Sequence, residues 1–346
     1  MRAYVLRRIG ATLIVLLALT GVMFLLQEVS PYDPVRLAVG PEASPAVVAA
    51  ARKRLGYDDP IVVQYVHYVE HAVTGNLGTS LNTGDPVTSG IASALPASLE
   101  LMLAAILIAT PLALLIGFAS AARWRGATII RVSSIVFASA PAFVLSVLFV
   151  LLFYSRLHWL PAGGRTSSFT APTGPTGLLT IDGLLAGEPA VSWDAIQHLI
   201  LPAVALALLP AVAVGRVLRG ALLTNVRSEH ARAARARGLT ETAIVRRHCM
   251  RNSAGPTLAM AGLQLGAIFA SLVVVETVFA WPGLGNYLSQ AIPKGDFPAI
   301  IGVTLLLGVM YVVVNTVVDI LQAIADPRIR SCPEEPSVSA GPRSSG

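Results

Sequence analysis

The chain has 346 residues, 54% of them hydrophobic and 13% charged, with a mean hydropathy of +0.69. That is too apolar and too poor in charge for a water-soluble domain of this length, and it fits a chain that crosses a membrane several times. The formal charge of +6 arises from 25 basic and 19 acidic residues; the arginines gather beside apolar runs, so topology accounts for them and a nucleic-acid partner does not follow.

Six runs carry no Asp, Glu, Lys or Arg: Ile9 to Leu26, Leu101 to Ala122, Val132 to Ser155, Leu199 to Gly215, Asn252 to Val275 and Phe297 to Val318. Each is near the ~20 residues that cross ~30 Å of hydrocarbon as a helix. The first follows Arg2, Arg7 and Arg8 as in a secretory leader, but it is too long for one and "LLQEVSPYD" offers no Ala-x-Ala cleavage site, so it reads as a retained first helix. With the N-terminus inside, 18 of the 25 basic residues fall on the cytoplasmic side, nine of them between Arg216 and Arg251. Arg36, Arg52, Lys53, Arg54, Arg156, Arg165 and Lys294 remain outside. Both termini are then cytoplasmic, as are Cys249 and Cys332, where thiols stay reduced and no disulfide is expected.

Residues 1–26 thus form the N-terminus and first span, and 27–97 an outer helical segment. In that segment Ser44 and Pro45 open one short helix that Gly56 closes, and Pro60 opens another, "DPIVVQYVHYVEHAV"; the pair reads as a small cap outside the membrane. "HYVEH" sets His67 and His71 on one helical face in an H-x-x-E-H spacing, but with no third ligand and only a short segment around it, solvated histidines are the simpler reading. Residues 98–330 form the core. Pro111, Pro141, Pro202 and Pro210 each remove a backbone hydrogen bond within it and invite kinks. The stretch from Arg156 to Asp194, rich in Gly, Pro, Ser and Thr, reads as loop with at most short helices, and 331–346 has the composition of a disordered tail.

Chemistry of its own is hard to find in this chain. Lys53 and Lys294 are its only lysines, and neither lies in a G-x-x-x-x-G-K-[ST] phosphate loop. A proton-driven carrier needs carboxylates or histidines within its spans, and none of the six runs holds either. Glu28, Glu100, Glu276 and Asp319 sit only near the ends, with Glu276 a candidate at the outer face or gate and Asp319 at the inner end. A membrane-embedded enzyme would need a clustered nucleophile or metal set, which is missing outside "HYVEH".

The loop at 216–251 is the most distinctive element. Ser228 can cap a helix with Glu229 in its first turn, Ala231, Ala233, Ala234 and Ala236 give it a small surface, and Gly238 can end it in left-handed geometry. Thr240 and Glu241 then begin a second helix that runs into the fifth span, making an elbow whose small, basic-rimmed helix could enter a cleft on another protein.

These residues resemble the membrane subunits of bacterial ABC importers, of the dipeptide/oligopeptide permease type. The loop is similar to that family's EAA signature, with Arg232 where the general signature has Glu, then Ala233, Ala234, Arg235, Arg237, Gly238 and Leu239, followed by Arg247, His248, Arg251, Asn252 and Pro256 at the loop-to-helix elbow. "LPASLEL", "APAFVLSVLFVLLFYSRLHWLPAGG", "VVVETVFAWPGLGNYLSQAI" and "VVVNTVVDILQAIADPRIR" occur in the family's order, over about residues 1–330. The resemblance implies an all-α polytopic permease with six transmembrane helices in the type I importer fold, acting in the bacterial inner membrane without catalysis. It implies a coupling helix in the loop, seated in one or two separate ATPase subunits that bind ATP and Mg, and a second homologous permease subunit. An extracytoplasmic substrate-binding protein would dock on an outer face that includes the 27–97 cap and the turn formed by Trp281, Pro282, Gly283 and Gly285. The implied cargo is a di- or oligopeptide; nickel, haem or glutathione is the alternative within the same architecture.

Overall fold

The computed structural model describes residues 2–29, 34–40, 43–54, 56–121, 126–167 and 174–325. The 331–346 tail with Cys332, together with Arg123, Arg125, Arg328 and Arg330, lies outside the described residues. The described chain is helical almost throughout, and its only strand-like pairing is a single bridge between Thr79 and Pro86.

The long elements follow the apolar runs. Helices α1 (Arg2–Val29), α2 (Pro34–Val39), α3 (Pro45–Arg54) and α4 (Ile61–Val73) precede α5 (Val87–Ala121), the first long helix of the core. Then come α6 (Gly126–Ser139), α7 (Ala142–Phe149), α8 (Leu179–Leu185) and α9 (Pro189–Val226). The chain ends with α10 (Glu229–Ala236), α11 (Glu241–Ile244), α12 (Met250–Val278), α13 (Leu284–Ala291) and α14 (Phe297–Ala325). Four of these, α5, α9, α12 and α14, are each long and apolar enough to cross a bilayer unaided.

The apolar run from Val132 to Ser155, read above as one span, is divided. Helix α6 and the segment Ala142–Arg156 meet at a bend of 108°. Pro141 explains it: the residue has no N–H to give the preceding turn, sits extended at φ −61° and ψ 153°, and starts α7 as its N-cap. From Val150 to Arg156 the helix widens into π-helical turns. Pro111, Pro202 and Pro210, by contrast, lie within unbroken helices.

Small residues at every fourth position build the core. Ala97, Leu101, Ala105, Ala109 and Ala113 of α5 are buried in one cluster with Ala203, Ala207 and Ala211 of α9. In lipid, where the apolar solvent gives no hydrophobic drive between helices, such stripes let backbones come close enough for dispersion contacts to hold them. At Gly215 the approach reaches the backbone, where a Cβ would stand 2.9 Å from the Ala113 carbonyl oxygen and 2.8 Å from Ile116 Cγ2. Helix α12 packs against the other side of this pair, and α14 against α12.

At the end of the bundle remote from the charged loop, the segment between α1 and α5 forms short helices. Helix α3 is closed by Gly56 at φ +74°, with Tyr57 N–H donating back to the Arg52 carbonyl at 3.0 Å. Pro60 stands one position before α4 as its N-cap, outside the helix itself.

The α5–α9 contact makes a specific prediction. Gly215→Val should cost on the order of 1–3 kcal/mol through overpacking against Ala113 and Ile116. Its readout is a lower temperature for loss of the helical circular-dichroism signal in detergent. Gly220→Ala, on the same helix with no atom within 4 Å of its would-be Cβ, should leave that temperature unchanged or slightly higher.

Candidate functional site

The charged loop forms a seated helix. Ser228 adopts φ −68° and ψ 158°, and its Oγ accepts from Ala231 N–H at 3.4 Å while donating to the Asn225 carbonyl at 2.7 Å. Glu229 lies in the first turn of α10, next to the positive end of the helix dipole. At the other end Gly238 turns the chain at φ +79°, and Leu239 N–H donates to the Ala234 carbonyl at 3.3 Å.

The four alanines of the loop divide between two faces. Ala231 and Ala234 are buried against Leu218 and Leu222 of α9 and against Ile244 and Cys249. Ala233 and Ala236 point outward with Glu229, Arg232 and Arg237, and Leu239 follows beyond the helix. Ala234 is therefore part of the seat, and the small face read from the sequence is half occupied by the chain itself.

Two ion pairs shape the outer side. Arg232 Nη1 lies 2.6 Å from Glu229 Oε1, one turn apart. Arg235 grips Glu241 at two points, Nε to Oε1 at 2.5 Å and Nη2 to Oε2 at 3.0 Å, fixing α10 against the start of α11. The hydrogen bonds from Arg235 hold the Glu241 carboxyl below its ordinary range and raise the guanidinium in turn. The pair is therefore intact at neutral pH and is lost only as pH falls through the depressed carboxyl value. Burial pushes the Cys249 thiol upward, leaving it protonated and unreactive.

The seat is tied to three long helices. Asn225 Nδ2 donates to Ser253 Oγ of α12 at 3.0 Å, and Arg219 Nε of α9 donates to the Ser120 carbonyl of α5 at 3.1 Å. Helix α11 passes through a π-helical turn at Val245–Cys249 straight into α12. Arg247, Arg251, Asn252 and Pro256 are exposed along this continuous rod, while the side chain of His248 lies outside the described residues.

At the opposite end of the bundle the residues read as an outer face form a buried knot. Glu276, at the end of α12, is wholly buried. Its Oε1 accepts from Ser98 Oγ at 2.6 Å, and its Oε2 accepts from the backbone N–H groups of Gly285 at 2.7 Å and Asn286 at 3.1 Å. Ser98 Oγ in turn accepts from Leu284 N–H at 2.7 Å, and Trp281 Nε1 donates to the Ala97 carbonyl at 2.9 Å. A Cβ on Gly283 would lie 2.3 Å from Glu276 Oε1, and one on Gly285 would lie 2.5 Å from Val273 Cα. Of the turn's candidate residues only Pro282 is exposed, so the turn is an internal clamp far more than a docking surface. The chemical reason is the carboxylate: buried, it needs donors on all sides, and the backbone folds around it to supply them.

Beside the knot is a second polar cluster that sequence reading missed. Arg165 Nη2 pairs with Glu100 Oε2 and donates to the Gly177 carbonyl at 2.9 Å, and its guanidinium lies 5.7 Å from the centre of the Trp281 ring. Glu100 Oε1 accepts from both the N–H (2.9 Å) and the Oγ1 (2.7 Å) of Thr180. Further along, Asp194 Oδ2 accepts from Thr166 Oγ1 and Ser167 N–H, both at 2.7 Å, and the buried His198 packs beside it with Nδ1 2.9 Å from the Asp194 carbonyl. These contacts staple the irregular stretch after Arg156 to α5 and α9. Glu100 was visible in the sequence as a charge near a span end; Arg165 looked like one diluted loop charge, and His198 stands one residue before its apolar run.

Elsewhere, Glu28 is exposed at the end of α1, and the side chain of Asp319 lies outside the described residues. His67 and His71 line a cavity of about 390 Å³, and among the described residues no three His, Cys, Asp or Glu side chains converge as a metal site.

A bundle of apolar helices, four of them long enough to cross a bilayer, with a charged loop helix seated on the end of α9, defines a multi-pass membrane protein. The chain belongs to the family of binding-protein-dependent transport system inner membrane components, which it matches over residues 109–331, with the family's N-terminal component matched over residues 1–102. It is 38% identical over 327 residues to the "Probable D,D-dipeptide transport system permease protein" of Escherichia coli (strain K12), covering 93% of this chain and 96% of the relative. It is 37% identical over 334 residues to the di/tripeptide transport system permease protein of Pseudomonas aeruginosa (strain UCBPP-PA14), with 95% and 99% covered. A glutathione transport system permease protein of Salmonella choleraesuis (strain SC-B67) is 35% identical over 330 residues, with 94% and 98% covered.

The knot predicts an asymmetry between two substitutions. Gly283→Ala should force Glu276 out of its donors and lower thermal stability by more than 2 kcal/mol or abolish folding. Glu276→Gln keeps the shape but turns an amide NH₂ toward N–H donors, and should cost about 1–3 kcal/mol. Thermal unfolding of the detergent-solubilised protein distinguishes them; a neutral Gly283→Ala would contradict the clamp.

Proposed function

We propose that this chain is one of two homologous permease subunits of an ATP-driven importer that carries di- or oligopeptides into the bacterial cytoplasm. Helix α1, helices α5, α9, α12 and α14, and the broken pair α6–α7 would provide six crossings, with both termini in the cytoplasm. Helix α10 is the coupling helix. ATP and Mg bind to one or two separate ATPase subunits, the α10 surface of Glu229, Arg232, Ala233, Ala236 and Arg237 enters their cleft, and this chain performs no catalysis. Substrate arrives from an extracytoplasmic binding protein at the opposite face.

The observation that carries this reading is the seating of α10. A helix exposed on one side, buried against α9 on the other and capped by Ser228, which bonds Asn225 of α9, is placed to pass a push into the span bundle, because α9 is itself tied to α12 through Asn225 and to α5 through Arg219. The peptide assignment is supported by the names of the relatives, two of which are dipeptide or di/tripeptide permeases. Glutathione is the second reading, favoured by the relative of that name; as a tripeptide with one unusual linkage it falls within the same chemical class.

The coupling role is tested by transport and hydrolysis measured together. Gly238→Val places a β-branched residue at φ +79°, where only Gly is at ease, and should lower uptake at least tenfold while ATP hydrolysis continues without stimulation by loaded binding protein. Unchanged uptake and unchanged stimulation would refute it. Competition of labelled dipeptide uptake by unlabelled glutathione separates the two substrates.

A further inference from the structure

Helix α4 has three faces, and the chain occupies two. Toward α1, Tyr65 Oη donates to the Leu17 carbonyl at 2.9 Å and lies 2.8 Å from Thr20 Oγ1, while Phe24 has its ring centre 5.6 Å from that of Tyr65 and 6.1 Å from that of Tyr68. Toward the interior, Gln64, His67 and His71 line the cavity of about 390 Å³ that they share with Asn76 and with Pro298 at the start of α14. The third face is Val62, Val66, Val69 and Val73, spaced four, three and four residues apart and hence one stripe on a helix. Val62, Val66 and Val73 are 73%, 55% and 82% exposed.

The depth of this stripe can be read from its neighbour. At 1.5 Å per residue, Phe24, Thr20 and Leu17 lie about 3, 9 and 14 Å inside the end of the α1 apolar run at Leu26. Helix α4 is anchored across that range, whose middle falls within the ~5–10 Å to which an in-plane amphipathic helix sinks its apolar face at a membrane boundary. The surface of α1 beside it is also exposed and apolar, at Leu17, Val22, Leu25 and Leu26. The valine stripe continues that lipid-facing surface. Tyr65 and Tyr68, which pack against Phe24, stand at the same height, where amphipathic rings gather. Just before α4, the exposed Lys53 and Arg54 close α3, an outer basic pair that the cytoplasmic bias of basic residues does not account for. Anionic phosphates at the headgroup level would accept both.

We propose that α4 lies in the plane of the outer leaflet, with its valine stripe covered by phospholipid acyl chains and Lys53 and Arg54 at the phosphates. This rests on the topology proposed above, and it corrects the reading of the 27–97 segment as a cap wholly outside the membrane. The polar face then points away from lipid into the cavity, and the helix serves as a float that sets the height of the outer segment on the bilayer.

The test uses the full chain assembled with its partner subunits in vesicles of phosphatidylethanolamine and phosphatidylglycerol. Single cysteines at Val62, Val66, Val73 and Glu70, with Cys249 and Cys332 replaced by Ala, carry a nitroxide spin label. Collision with oxygen, which partitions into lipid, is compared with collision with a water-soluble nickel chelate. At Val62, Val66 and Val73 oxygen collisions should exceed nickel collisions several-fold, with the order reversed at Glu70. Nickel dominance at the valines places the stripe in water and overturns the proposal; protection from both reagents places a protein on it and overturns it equally. If Cys249→Ala prevents assembly, the buried Cys249 is retained and the same comparison is made. Neither uptake nor ATP hydrolysis is read, so a negative result leaves the coupling role of α10 untouched.

Discussion

Close contact between α5 and α9 is the constraint on which the other elements depend. Lipid offers no hydrophobic gain for helix association, so two long helices hold together only where their backbones can approach, and the alanines at every fourth position with Gly215 and Gly117 permit that. A Cβ at Gly117 would stand 2.6 Å from Leu218 Cδ2, and Leu218 is itself part of the floor on which α10 sits. The same packing that joins two spans therefore sets the position of the loop helix.

Polar groups are concentrated at the two ends of this bundle, with different logic at each. At the charged-loop end the side chains are largely exposed; the Arg235–Glu241 pair holds α10 against α11, the Arg232–Glu229 pair lies within α10, and both add little stability in water. At the opposite end they are buried and mutually satisfied: Glu276 with Ser98 and two backbone donors, Glu100 with Arg165 and Thr180, Asp296 with Ser80 at 2.5 Å. Buried carboxylates that have all their donors are costly to disturb, because opening one leaves charge without water. One end leaves its charges in solvent and the other satisfies them internally.

Local features could be read from the sequence because their causes are local. Ser228, Glu229 and Gly238 bracket α10 through capping chemistry that spans only a few residues, and Pro141 carries the reason for the bend after α6 in its own ring. What the sequence did not disclose depends on partners far apart in the chain. Glu276 meets Ser98 across 178 positions and Arg165 meets Glu100 across 65, and no spacing rule links such pairs. The alanines of α10 were legible as a small surface, but which of them face inward depends on Leu218 and Leu222, set by a different helix. The depth of α4 was hidden for a related reason: its valines alternate with His, Gln and Glu, so the segment never forms an apolar run, and only its contacts with Leu17, Thr20 and Phe24 give its height.

The unbroken path from Glu241 through the π-helical turn to Val278 spans 38 residues, counting 4, 5 and 29. At the rise of a helix that is a rod of about 55 Å. One tip meets the Arg235 grip beside α10, and the other ends in the Glu276 clamp. A path of that length joins the two polar ends of the bundle through one continuous backbone, with Pro256 inside it as the one residue that withholds an N–H.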